Sequence, residues 1–177
     1  YAVEVYVCNH NMSDKHIMDI LDSFIYTNMW LDCPEDIKEF LLKLSVLGGF
    51  TLTQCVAQTG RRESECYDIL MGIGFVKYNE SEHTYTFNPV FRHFISDILA
   101  NETSEVIYNI TLNAAHTYMA SGSFYEAIEL YARVGHYQEI YDSDISLGKL
   151  YAYVIKSNKD TFFDIANHYW SVEKNGH

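Results

Sequence analysis

No stretch of the 177-residue chain reads G-x-x-x-x-G-K-[ST] or G-x-G-x-x-G, so nothing in it resembles a phosphate-cradling loop. ATP hydrolysis is not expected of this chain alone, and "LGGF" and "MGIGF" read instead as helix ends, where glycine supplies backbone freedom. Ser45 does not sit in G-x-S-x-G, and no His and Asp gather around it, so no hydrolase reading rises above background. The four cysteines, Cys8, Cys33, Cys55 and Cys66, form no C-x-x-C pair, and the eight histidines are scattered. His93 and Cys66 have no local ligand spacing, so packing is the expectation for both, with no metal and no disulfide frame. A signal-peptide pattern and a long apolar run are both missing, which gives no reason to place the chain in a membrane.

Positive charge is also scarce: 12 Lys and Arg stand against 24 Asp and Glu, a net charge of −12. The deficit is spread, at −4 over residues 1–33, −3 over 34–98 and −5 over 99–177. A nucleic-acid binder needs a basic footprint against the phosphate field, and none is present. With 48% hydrophobic residues the chain is globular and long enough to bury about 70% of its unfolded surface. It opens on Tyr1 rather than Met and reads as an excised fragment.

The opening "YAVEVYV" fits either a strand or the tail of a helix. From Ser13, an N-cap, apolar residues recur at Ile17, Ile20, Leu21, Phe24, Ile25 and Met29, which predicts a helix to about Trp30. A second helix is expected from Pro34, capped by Asp32 or Cys33, with Phe40, Leu41, Leu44 and Leu47 on one face and Gly48-Gly49 as its stop. Two shorter helices follow, "TLTQCVAQTG" capped by Thr51 and "RRESECYDILMGIG". The period then changes to two in "FVKY" and "TYTF", a hairpin joined by the polar "NESEH". Three short helices and a two-stranded hairpin are the order of a winged helix, and "VFRHFISDILA" adds a helix after the wing.

Beyond Asn101 the pattern is wholly helical. The phrase Gly-x-aromatic-x-Glu occurs at Gly122–Glu126 and again at Gly135–Glu139. Thirteen residues accommodate one short helix and a turn, so the echo predicts helical hairpins stacked in sequence, with Ala114, Ala115 and Ala127 at close approaches. The fold class expected is mainly α: a winged-helix domain with a two-stranded β wing, followed by TPR-like helical hairpins.

Four motifs, in order, carry a resemblance. "NAAHTYMASGSFYEAIELYARVGHYQEI" resembles the start of the helical-repeat region in MalT-like, LuxR-type ATP-dependent transcriptional regulators. "FLLKLSVLGGFTLTQCVAQTG" looks like that family's F-L-L-x-x-S-x-L-x-x-F helix and turn, and "YTFNPVFRHFI" is similar to its wing-exit motif. "YAVEVYV" resembles the end of the helix that closes the family's nucleotide-binding part. The resemblance implies a division into residues 1–12 (end of the nucleotide-binding region), 13–100 (winged-helix arm) and 101–177 (TPR-like sensor segment). The whole protein would be a STAND ATPase with its DNA-binding helix-turn-helix at the far C-terminus.

In relatives, a wing-exit histidine senses the β-phosphate of bound ADP, and the motif places Asn88 at that position, with Arg92 four residues on. Asparagine hydrogen-bonds a phosphate oxygen but brings no positive charge, so its grip on ADP is weaker. A plainer role for Asn88 is to cap the following helix, with Pro89 at its first position, and the two roles are compatible.

The resemblance thus implies a non-catalytic, cytoplasmic regulatory segment. ATP or ADP belongs to the full-length protein and no cofactor to this segment. The implied partners are its own nucleotide-binding domain, a small-molecule or protein inducer, and DNA only through a C-terminal domain. An independent winged-helix DNA binder with a helical dimerisation extension is the alternative, as is a helical-repeat interaction scaffold. Glu63, Glu65 and Asp68 on the third helix, with Glu80 and Glu82 on the wing, favour protein packing over DNA. The 27 aromatic residues are mostly expected in the core, and any tyrosines left over would suit a recognition surface.

Overall fold

The computed structural model describes residues 14–142 and, beyond them, Ile165, Asn167 and His168. The expectations for Ser13, "YAVEVYV" and most of the last 35 residues lie outside the described residues. Helix α1 (Asp14–Ile25) continues into a π-helical turn, Tyr26–Trp30, with Leu31 N–H bonded five residues back to Tyr26 O. Local side chains explain the widened turn. The Thr27 hydroxyl bonds Ser23 O and the Asn28 amide bonds Phe24 O, competing with backbone donors for the same carbonyls. The slip turns Trp30 inward, edge-on to Phe94 at 5.6 Å.

Helix α2 (Glu35–Ser45) follows, one residue later than the sequence suggests. Pro34 is itself the N-cap, with extended ψ, and its carbonyl takes the first helical bonds from Ile37 and Lys38. Helix α3 (Leu52–Thr59) has the capping box that Thr51 and Gln54 spell out and ends at Gly60 in the left-handed region. Helix α4 (Glu63–Gly72) leads to strands β1 (Val76–Asn79) and β2 (Thr84–Phe87), antiparallel with Val76 opposite Phe87 and Asn79 opposite Thr84. Phe50 adds a single-residue bridge to β2, exchanging both backbone bonds with Tyr85. That bridge ties the turn after α2 to the wing.

Helix α5 (Pro89–Ala100) packs on α1 and α2. Alternation puts Tyr85 and Phe87 of β2 inside, where they join a run of rings. Tyr78, Tyr85, Phe50, Phe87, Phe91, Phe94 and Trp30 follow one another at centroid separations from 4.8 to 6.2 Å. Such pairs add about 0.5–1.5 kcal/mol each beyond the area they bury. Leu41 and Leu44 of α2 and Leu47 just beyond it, with Cys55, Cys66 and Leu70, complete this core. The arrangement is the mainly helical, winged-helix architecture read from the sequence, followed by further helices.

Helix α6 (Ser104–Ala120) lies across α3 and α2, and α7 (Phe124–Arg133) turns back along it. The thirteen-residue echo is two identical helix stops. At each, a glycine at positive φ (Gly122, +79°; Gly135, +71°) donates to the carbonyl three residues back. The residue after each glycine donates to a tyrosine carbonyl, Ser123 to Tyr118 and His136 to Tyr131, completing the Schellman pattern. The echo extends further than the quoted phrase: Ala114, Ala127 and Ile140 are also thirteen apart, and all are buried. Ile140 belongs to α8 (Tyr137–Asp142), which packs on α7.

Candidate functional site

The C-terminal turn of α2 is where the wing, the helix after it and the hairpin meet. A helix end leaves its last four carbonyls without helical partners. Here they are met from several directions. Leu44 O accepts from Leu47 N–H, and the Ser45 hydroxyl donates to Leu42 O. Lys43 O accepts from Nε2 of Gln58 on α3 at 2.9 Å.

Gln58 is 2% exposed, and its amide is fully used. Nε2 also donates to Ile110 O of α6 at 3.1 Å. Oε1 accepts from Asn113 at 3.2 Å and faces the Thr117 hydroxyl at 3.4 Å. Asn113 donates in addition to the backbone carbonyl of Gln58. One side chain thus joins α2, α3 and α6 through a satisfied buried network. Gln54, one turn earlier on α3, reaches Ser121 Oγ at the far end of α6 at 2.8 Å.

Beyond α2, the Gly48-Gly49 turn is held on two sides. The Tyr118 hydroxyl of α6 accepts from Gly48 N–H at 2.9 Å and donates to Gly49 O at 3.2 Å. Burial pushes the Tyr118 phenol above its ordinary pKa, and the Gly48 N–H bond acts in the other direction. From α5, the Arg92 guanidinium donates to Gly48 O and lies 3.4 Å from Leu47 O. A cation at a helix C-terminus also complements the helix dipole.

The two residues singled out by the wing-exit motif therefore have work inside the fold. Asn88 caps α5: its Oδ1 accepts from Phe91 N–H at 2.8 Å, with Pro89 next in line. Its backbone N–H bonds Phe75 O, which fixes the exit from the wing. Arg92 lies one turn on, with its guanidinium against the α2 end. Sequence reasoning missed Gln58 and Tyr118, because no local spacing marks residues whose partners are 15 to 70 positions away.

The face of α4 and the wing has a different character. Arg61 donates to Asp36 O and its carboxylate, and Arg62 is paired with Glu65, so both cations at the start of α4 are already matched. Tyr67 and Met71 of α4 and Tyr78 of the wing are exposed beside Glu63, Asp68, Glu80 and Glu82. Cys55 and Cys66 are buried free thiols, and burial, with Cys66 adjacent, holds Cys55 far above the usual thiol range. Among the described residues, no helix is long and apolar enough to cross a membrane.

A comparison with curated proteins gave no match. The family model of the MalT winged helix domain matches residues 27–107, from the π-helical turn through the first turn of α6, and over that span the chain is similar to that domain.

Proposed function

We propose that this chain is a regulatory, non-catalytic segment of a LuxR-type transcriptional regulator of the STAND ATPase class. In this reading residues 1–12 close the nucleotide-binding region, 13–100 form the arm and 101–177 begin a TPR-like sensor superhelix. The segment couples the ATP or ADP state of the neighbouring domain to an inducer bound on the superhelix. It holds no cofactor itself and works in the cytoplasm, and DNA is contacted only by a separate C-terminal domain. The observation that carries the reading is the α2 end, where Arg92 of the wing-exit helix and Tyr118 of the first hairpin grip one two-glycine turn. A displacement at the wing exit is felt by α6 through that turn, as coupling between two sites requires.

Asn88 would meet ADP through its amide nitrogen, since its oxygen is taken by the cap. A direct DNA reader is disfavoured by the matched Arg61 and Arg62 and by the acidic wing. The test uses the full-length protein. Its reading frame should carry a phosphate-binding loop upstream, and amide exchange at Gly48 should differ between its ADP- and ATP-loaded forms. A frame without an ATPase, or a Gly48 amide indifferent to nucleotide, would sink the proposal. Strongly salt-dependent duplex binding by the 177-residue chain would favour the DNA reader instead.

A further inference from the structure

At the packing of α1 on α5, three potential metal ligands converge from two helices. His93 and Asp97 lie one turn apart on α5, and Asp22 faces them from α1. His93 Nδ1 is 3.4 Å from Asp97 Oδ2 and 3.6 Å from Asp22 Oδ2, and one ligand atom from each residue lies within 4.8 Å of the others. Those separations exceed an N–H···O hydrogen bond, so the imidazole is bonded to neither carboxylate. They match the edge of a coordination tetrahedron, which is about 3.4 Å for bonds of about 2.1 Å.

Two independent features of the same spot favour a cation. Asp22 Oδ1 is shut off from solvent and has no hydrogen-bond partner, an arrangement a neighbouring positive charge would relieve. A cleft of about 350 Å³, lined by Asp22 and Asp97 with Ser23, Tyr26, Phe94 and Asn101, opens on the carboxylate side of the group and leaves room there for a further ligand. Within the group two carboxylates face one imidazole, so its net charge is negative whichever form the imidazole takes.

We propose that Asp22, His93 and Asp97 form a binding site for one divalent transition cation of the zinc type. One imidazole nitrogen and two carboxylate oxygens are the donors of a three-residue zinc site, with a water or an incoming group in the fourth position. Mg²⁺ and Ca²⁺ prefer all-oxygen shells and are poorly served by it. The bound ion staples α1, which begins before the MalT-like span, to the wing-exit helix within it.

The test titrates the 177-residue chain with Zn²⁺ by calorimetry and with Co²⁺ by absorption, with Mg²⁺ as the negative arm. The expected result is one equivalent of Zn²⁺ or Co²⁺, with the intense visible band of four-coordinate cobalt and a thermal midpoint raised by several degrees. His93→Ala and Asp22→Asn should each weaken binding at least about ten-fold and abolish the thermal shift, while circular dichroism shows the metal-free variants folded. His16→Ala, which removes an exposed histidine elsewhere on α1, should leave binding unchanged. Binding unaffected by His93→Ala and Asp22→Asn, equal loss with His16→Ala, or no uptake above that of Mg²⁺ would each overturn the proposal.

Discussion

Replacing Gln58 with methionine keeps the length and shape of the side chain and removes every polar contact its amide makes. Two of those contacts are short, to Lys43 O at 2.9 Å and Ile110 O at 3.1 Å, and at about 1 kcal/mol each they contribute about 2 kcal/mol. Ile110 O keeps its own helical bond within α6, so its loss adds little. Lys43 O is different: it lies in the last turn of α2 and would be stranded beneath a packed helix, at a further cost of about 1–3 kcal/mol. Methionine recovers part of this by burying an apolar stem, which leaves a net loss of about 2–4 kcal/mol. For a chain of this size that lowers the melting temperature by on the order of 10 °C. Urea unfolding followed by tryptophan fluorescence gives the free energy directly, and an unchanged m-value would confirm that the native state is intact. A double-mutant cycle with Asn113→Ala should return a coupling of at least about 0.5 kcal/mol. A Gln58→Met protein within about 0.5 kcal/mol of the parent would refute the view that this amide joins α2, α3 and α6.

Further outcomes follow from the same physics. Gly122→Ala and Gly135→Ala each meet open space, so the whole cost is left-handed backbone strain, about 1 kcal/mol apiece by thermal denaturation. Equal stability of either variant would mean that its turn is not held at positive φ. Asn88→Ala should lose about 1 kcal/mol with the cap, whereas Asn88→Asp, which keeps the acceptor, should lose little; equal losses would sink the capping role. Burial raises the Tyr118, Tyr85 and Tyr131 phenols, so the folded state holds these protons more tightly than the unfolded chain. Their contribution is complete below the ordinary tyrosine pKa of about 10 and is lost as the pH rises through their folded values. Urea midpoints should therefore fall steeply above that pH, and an alkaline absorbance titration should resolve a late-ionising class; a single titration step would contradict this.

What the sequence made legible, and what it hid, divides by distance along the chain. Thr51, Asn88 with Pro89, Gly60, Gly122 and Gly135 all act on partners within about five residues, and Thr51 and Asn88 cap their helices as their local patterns suggested. The π-helical turn was hidden although its causes are local, because Thr27 and Asn28 look like ordinary polar positions on a helix face. Phe50, next to the Thr51 cap in sequence, reaches 35 residues on to bridge Tyr85, and no local pattern marks it. Arg92 was singled out by resemblance, and its contact with the α2 end depends on packing that no spacing encodes. His93 is the instructive case: its neighbour Asp97 is four residues away and visible in the sequence, while Asp22 is brought in only when α1 folds against α5.

The run of rings from the wing to the π-helical turn also makes the domain its own optical instrument. Trp30 stands at one end, buried against Phe94, and the solvent-facing Tyr78 stands at the other. A hinge movement that lifts the wing must part rings in contact along this run, and the indole at the base would report it as a change in emission. No dye need be attached, and the reporter is the packing that holds the wing in place.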